Sequence, residues 1–277
     1  MNATGQPQGT QQSEQSAGIW LALDTSTGCM TIGLLDQGRP VAEFSSEAER
    51  NHSILLLPAI ERLLEEHGVA PAELAGIAVG RGPGSYTGVR IAVSVAKTMA
   101  WALGIPVVAV SGLEAMALGA WKRDRGTAVQ GKTIWYVPLL DARRKQAFTG
   151  LYQWRNGERS TLVPDGIRLV PDWVERIRIL EAETADRPDR IVFIGETAGF
   201  EPLLEPLISR EPDRIAAVPR AIEAGAVGEL AWERTLRGER DEVHGLIPNY
   251  TQLAEAESKL LEKEKQQRGG DPFDGAC

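Results

Sequence analysis

Apolar positions fall into short unbroken runs near the start of the chain and into a longer-period pattern after about residue 50. Ile19-Trp20-Leu21-Ala22-Leu23 is a continuous run closed by Asp24, as expected of a strand covered on both faces. Cys29 to Leu35 is a second run, Asp36-Gln37-Gly38 supplies turn chemistry, and Val41 to Phe44 is a third. Together they predict an antiparallel meander of three strands. Leu56, Leu57, Ile60, Leu63 and Leu64 then recur at helical spacing. Asn51 or Ser53 is available as the cap, Pro58 sits near the first turns, where a missing N–H is best tolerated, and Gly68 is the stop. Leu74 to Val79 reads as a strand, Thr87 to Leu103 as a second helix ended by Gly104, and Ile105 to Val110 as a strand.

Beyond a hinge near Ser111-Gly112, Thr133 to Leu140 and Gln146 to Tyr152 are strands about the polar turn Asp141-Ala142-Arg143-Arg144. Arg190 to Ile194 is a further strand, residues 224 to 237 form a helix, and Glu255 to Lys265 form a terminal one. Two strands about a polar turn repeat the start of the first lobe, which predicts a shortened, divergent second copy. The expected organisation is a disordered tail (1–17), an N-terminal lobe (18–111) that the C-terminal helix could complete, a second lobe (112–245), and a C-terminal segment (246–277) with a frayed end.

Composition narrows the function classes. The chain has 277 residues, 43% hydrophobic and 25% charged, enough apolar material for a sizeable core. A formal net charge of −8 argues against a stand-alone nucleic-acid binder, which needs clustered Lys and Arg to neutralise phosphates. Arg143, Arg144 and Lys145 are the densest local basic patch, and they read first as a solvated charge run at a strand end. Two cysteines, Cys29 and Cys277, make no disulfide framework and suit a reducing, cytoplasmic compartment. The polar, Gln-rich first residues lack the apolar stretch of a signal peptide, and no later segment has the roughly 18 uninterrupted apolar residues of a membrane span.

The most specific segment is Gly80-Arg81-Gly82-Pro83-Gly84-Ser85-Tyr86-Thr87-Gly88-Val89-Arg90, placed between a strand and a helix. Repeated glycines allow close backbone approach, and a turn opening a helix presents N–H donors to an anion, with Gly80, Gly82, Gly84, Ser85, Thr87 and Arg90 as the residues concerned. It is not a Walker loop, which needs a Lys after its last Gly.

Read whole, this segment resembles the signature of the bacterial TsaB family, a small actin-like subunit of the tRNA threonylcarbamoyladenosine machinery. Leu21-Ala22-Leu23-Asp24-Thr25-Ser26-Thr27 is similar to that family's opening strand and turn, and Asn51-His52-Ser53 followed by Leu56-Leu57-Pro58 to its first helix. Val110-Ser111-Gly112-Leu113-Glu114-Ala115, Asp141-Ala142-Arg143-Arg144 and Ile247-Pro248-Asn249-Tyr250 continue the likeness in order. Thr251-Gln252 stand where Leu-Arg is usual, so the role of that Arg does not carry over. The likeness is strong from about residue 19 to 150 and thin from about 153 to 225. It implies an α/β fold of the actin-like ATPase class (ASKHA, ribonuclease H-like), with two lobes and the second reduced.

That fold holds phosphate in two hairpins, each with an Asp near Mg²⁺ and a Gly that lets backbone N–H groups reach the phosphate. Here Thr25 and Ser26 follow Asp24, Ala142 and Arg143 follow Asp141, and a single Gly195 stands in Gly195-Glu196-Thr197-Ala198 where the adenosine loop would want a pair. Independent ATP hydrolysis is therefore not expected. Asp24 either ligates in the cleft or bonds its own turn, and Asp141 with Arg143 could hold a polar ligand. His52, His67 and His244 lack metal-site spacing, neither Ser85 nor Ser111 has a recognisable base partner, and no catalytic or metal residue is assigned.

The second helix is apolar on nearly all sides, which demands cover on nearly all sides. Ala92, Ala96 and Ala100 at i, i+4 would let another helix approach, unless the chain buries this stripe itself. The resemblance implies pairing with a TsaD-like transferase through the two N-terminal helices, with Ile54, Leu57, Ile60, Val89, Val93 and Lys97 as the expected face. It also implies a TsaE-like ATPase in the assembly, tRNA contact only as part of the complex, and homodimerisation through the same face in isolation. No tightly bound cofactor is expected, although a nucleotide could sit at the heteromer interface. The rival expectation is an active phosphotransferase of the sugar-kinase type.

Overall fold

The computed structural model describes residues 18–47, 51–124 and 131–251. The expected tail (1–17), the helix over 255–265 and the end beyond Gln266 lie outside these residues.

Side-chain alternation along the first strand sets the architecture. In β1 (Ile19–Asp24), Trp20 and Ala22 point into one core while Leu21 and Leu23 point into another, so the strand is apolar throughout because both its faces are covered. It pairs antiparallel with β2 (Cys29–Asp36), which pairs with β3 (Arg39–Glu47), and this is the expected meander. The helix α1 (His52–Glu66) follows, its buried side chains being His52, Leu56, Ile60, Leu63 and Leu64. Asn51 takes the N-cap position without a side-chain cap bond, and Pro58 lies inside the helix rather than in its first turn. The strand β4 (Leu74–Gly80) runs parallel to β1, α2 (Tyr86–Leu103) follows it and ends at the left-handed Gly104, and β5 (Val107–Val110) completes a sheet of order β3-β2-β1-β4-β5.

The second lobe repeats this plan. After α3 (Gly112–Asp124) come β6 (Thr133–Asp141), β7 (Gln146–Arg155), β8 (Glu158–Leu169), α4 (Val170–Glu183), β9 (Arg190–Gly195), α5 (Glu201–Arg210), β10 (Ile215–Pro219) and α6 (Ala224–Leu236). Its sheet order, β10-β9-β6-β7-β8, is that of the first sheet listed from the other edge. The copy is divergent in sequence, but its sheet is not shortened: it has five strands, like the first. The sequence pattern passed over β8 and β10 because each is an edge strand with only one neighbour and little need of an unbroken apolar run. It passed over α3 because nine of that helix's residues are buried, which erases the amphipathic period.

The two central helices are exchanged between sheets, α3 packing on β6, β7 and β9 while α6 lies across β1 to β5. Outside them, α1 and α2 cover the far face of the first sheet, and the side chains of α4 and α5 join the core on the far face of the second. Polar clamps also join the lobes. Ser111 Oγ donates to Asp165 Oδ2 at 2.5 Å, Tyr152 donates its hydroxyl to the other Asp165 oxygen, and Arg159 bridges Glu114 (2.9 Å) and Glu233 (2.6 Å). Burial raises the pKa of Asp165, against the hydrogen bonds from Ser111 and Tyr152 that lower it. Ser111 thus has a carboxylate partner that spacing alone does not reveal.

Candidate functional site

A cleft of about 610 Å³ opens between the lobes. Its first-lobe wall is the β1–β2 turn (Ser26 to Gly28) with the opening residues of α1 (His52, Ser53) and α2 (Gly84 to Gly88). Its second-lobe wall is the β6–β7 turn (Asp141 to Arg143) with Leu140, Phe148 and Glu196.

The first phosphate-type hairpin is closed. Asp24, Thr25 and Ser26 are essentially without solvent exposure, and Asp24 does not line the cleft. Asp24 Oδ1 accepts from the amide and the hydroxyl of Ser26, both at 2.7 Å, whereas the buried Oδ2 has no partner. Desolvation pushes its pKa up to about 6, and the Ser26 bonds oppose that rise.

The Gly-rich segment does the sealing. A Cβ on Gly80 would overlap Asp24 Oδ2, one on Gly84 the Ser26 carbonyl oxygen, and one on Gly88 the Thr25 carbonyl oxygen. Gly82 takes the left-handed φ of +85°, and Ser85 caps α2 by accepting from the Gly88 amide. Thr25 Oγ1 donates to the Gly88 carbonyl at 2.7 Å, and the Ser85 amide donates to the Ser26 carbonyl at 2.7 Å. These glycines bring the turn and the hairpin into backbone contact, so Gly80 and Gly82 are structural, while Gly84, Ser85 and Thr87 reach the cleft. Arg90 does not join them: its guanidinium lies over the Tyr86 ring at 5.1 Å and donates to the Tyr86 hydroxyl.

The second hairpin is open. Asp141 and Arg143 line the cleft, as expected, and Asp24 does not accompany them there. Asp141 Oδ1 accepts from the Arg143 amide at 2.8 Å, and the Asp141 amide donates to Glu196 at 2.7 Å. Arg143, Arg144 and Lys145 all have left-handed φ values, 68°, 53° and 60°. Non-glycine residues pay roughly 1–2 kcal/mol each for that conformation. Backbone bonds from Gln146 to Arg143, Ala142 to Gln146 and Val170 to Lys145 hold it in place.

The expected partner face divides. Ile54 (66% exposed) and Leu57 (53%) stand out from α1 into solvent. Ile60, Val89 and Val93 do not: they are buried in the core between the helices and the first sheet, because the stripe they share with Leu56, Leu63 and Ala96 is the one that α1 and α2 turn toward that sheet. Ala92, Ala96 and Ala100 are likewise in that core, so the small-residue stripe seats α2 on its own sheet rather than on a foreign helix. Lys97 is tied down by donating to the carbonyls of His244 and Leu246, both at 2.9 Å. Leu55, Trp101 (67% exposed), Tyr86 and Tyr250 add exposed apolar surface that periodicity did not single out, the two tyrosine rings lying 5.4 Å apart. His52 and Glu196, both cleft residues, were legible only as parts of longer motifs.

Two lobes of identical β-β-β-α-β-α-β-α plan, with exchanged central helices and a cleft between them, define an actin-like protein. A family model described as "TsaD: tRNA N6-adenosine threonylcarbamoyltransferase" matches residues 45–260. The "tRNA threonylcarbamoyladenosine biosynthesis protein TsaB" of Bacillus subtilis is 38% identical over 246 residues, covering 88% of this chain and 99% of that protein. The Escherichia coli protein of the same name is 34% identical over 133 residues, covering 48% of this chain and 54% of its own length. The solved structure "YeaZ from Pseudomonas aeruginosa" superposes with a TM-score of 0.64 at 31% identity, covering 84% of this chain and 99% of that one. The chain belongs to the TsaB (YeaZ) family.

Proposed function

We propose that this chain serves tRNA N6-threonylcarbamoyladenosine biosynthesis as a non-catalytic scaffold subunit that binds a TsaD-like transferase. The names of its relatives support the pathway. The observation that carries the non-catalytic reading is the sealed hairpin: the Asp that should approach Mg²⁺ is wholly buried beneath Gly80, with its free oxygen walled off from the cleft. The same observation counts against a phosphotransferase of the sugar-kinase type.

Ile54 and Leu57 on α1 are the anchors of the partner face, with Trp101 and Tyr86 as further apolar contacts. Exposed large apolar side chains of this kind become hot spots when a partner desolvates them. A TsaE-like ATPase joins the assembly, tRNA meets this subunit only within it, and a second copy takes the same face when the transferase is absent. A nucleotide, where one is used, sits at the heteromer interface.

Mixing the chain with its host's TsaD-like protein and running size-exclusion chromatography tests the reading. Co-elution at micromolar concentration is expected. The double variant Ile54→Asp/Leu57→Asp should weaken the complex by about 100-fold, some 2.7 kcal/mol, while leaving the monomer's thermal transition in place, since both side chains are exposed. Separate elution of the wild-type proteins would overturn the scaffold reading, and Mg-ATP turnover by the purified chain alone would overturn the non-catalytic one.

A further inference from the structure

The chain passes between its lobes twice, at Ser111 between β5 and α3 and at residues 220–223 between β10 and α6. Crossings of this kind act as a hinge, and lobes joined by a hinge swing unless contacts away from it hold them. A swing would slide the exchanged helices past each other, because α3 travels with the second sheet and α6 with the first.

Ion pairs join these two helices at both ends. Lys122 and Arg123, in the last turn of α3, pair with Glu229 and Glu223 of α6, the second pair at 2.7 Å. Both pairs reach solvent, where screening weakens them. The opposite end is better sheltered and more directional. Arg159 of β8 is only 20% exposed; its Nε donates to Glu114 in the first turn of α3 at 2.9 Å, and its Nη2 to Glu233 near the end of α6 at 2.6 Å. The residue after Glu233 fixes that end of α6 to the first sheet, since Arg234 donates to the Ala109 carbonyl of β5 and pairs with Asp241 at 3.0 Å. On the same strand as Arg159, Asp165 accepts from Ser111 at the first crossing. One planar guanidinium thus holds a carboxylate of each lobe along fixed directions, which a sliding of α6 past α3 could not preserve.

We infer that Arg159 is an interlobe latch, which locks α6 against α3 at one angle so that the cleft keeps a fixed width instead of closing by hinge motion. The inference rests on the geometry of the chain itself and is independent of the scaffold reading, so the isolated protein suffices to test it.

Spin labels at Glu61→Cys in α1 and Arg178→Cys in α4, both exposed, report the distance between the lobes by double electron–electron resonance once Cys29 and Cys277 are replaced by serine. A single narrow distance distribution is expected with Arg159 in place. Arg159→Met keeps the apolar stem and removes the bridge, and should widen the distribution at least about twofold or add a second peak. Arg159→Lys should widen it as well, since a compact ammonium does not supply two directed donors to two helices. Glu233→Ala spares the pair with Glu114, should act like Arg159→Met, and carries the test if that variant does not fold. Arg187→Met breaks ion pairs that lie wholly inside the second lobe and should change nothing. A distribution already broad with Arg159 in place, an unchanged width in folded Arg159→Met or Glu233→Ala, or equal broadening in Arg187→Met would overturn the latch.

Discussion

Replacing Gly88 by alanine is expected to destabilise the chain by about 3 kcal/mol, although alanine is the better helix former by about 1 kcal/mol. The added Cβ would overlap the Thr25 carbonyl oxygen, a backbone atom that no side-chain rotation can clear. The start of α2 would have to lift from the β1–β2 turn, losing the bonds from Thr25 Oγ1 to the Gly88 carbonyl and from the Ser85 amide to the Ser26 carbonyl. Each buried bond contributes about 1 kcal/mol, and strain or exposed apolar surface adds a further 1–3 kcal/mol. Gly119→Ala is the matched control. The atoms nearest its Cβ would be the carboxylate end of Glu223, at 3.3 Å, a side chain that can give by a few tenths of an ångström while keeping its ion pair with Arg123, so the helix-propensity gain should leave stability unchanged or raised. Urea denaturation of both variants decides the matter: equal midpoints would show that the Gly-rich segment is not clamped to the hairpin.

Asp24→Asn is expected to stabilise the chain at pH 7.5 by about 2 kcal/mol. A carboxyl pKa raised from 3.8 to about 6 by burial means that keeping the group ionised in the folded state costs about 3 kcal/mol, and the extra Asn donor returns part of the cost. The folded chain binds the proton more tightly than the unfolded chain, so the burden is absent below about pH 4, grows from there to about pH 6, and is complete above that. The advantage of the variant should fall along the same course and reverse sign near pH 4, where the neutral carboxyl carries no burden while the extra Asn donor still costs about 1 kcal/mol. Thermal unfolding of both proteins across this range measures it. A variant less stable than wild type at pH 7.5 would show that the Asp24 charge is matched by a partner, as a metal-holding hairpin requires.

Both results turn on a feature half visible in the chain itself. That Thr25 and Ser26 replace glycine in the hairpin is a matter of spelling, and it already argued against a triphosphate site. That Asp24 is sealed off required the tertiary structure, because the lid comes from Gly80, some 56 residues away in sequence. The glycines of the turn were legible as sites of close backbone approach, but the approaching backbone is the chain's own.

Periodicity determined the meander, the two helices of the first lobe, β6, β7, β9 and α6, since each is either a buried run or a one-sided stripe that local pattern reveals. It determined equally that α2 is apolar on nearly all sides and that α1 and α2 together offer apolar side chains to a partner or to the core. Only the tertiary structure decided which ones remain outside: Ile54 and Leu57 stay in solvent while Ile60, Val89 and Val93 go into the core. The reason is geometric, since a helix has one face to give to its sheet, and the rotation that picks that face depends on the partners it packs against, which may lie anywhere along the chain.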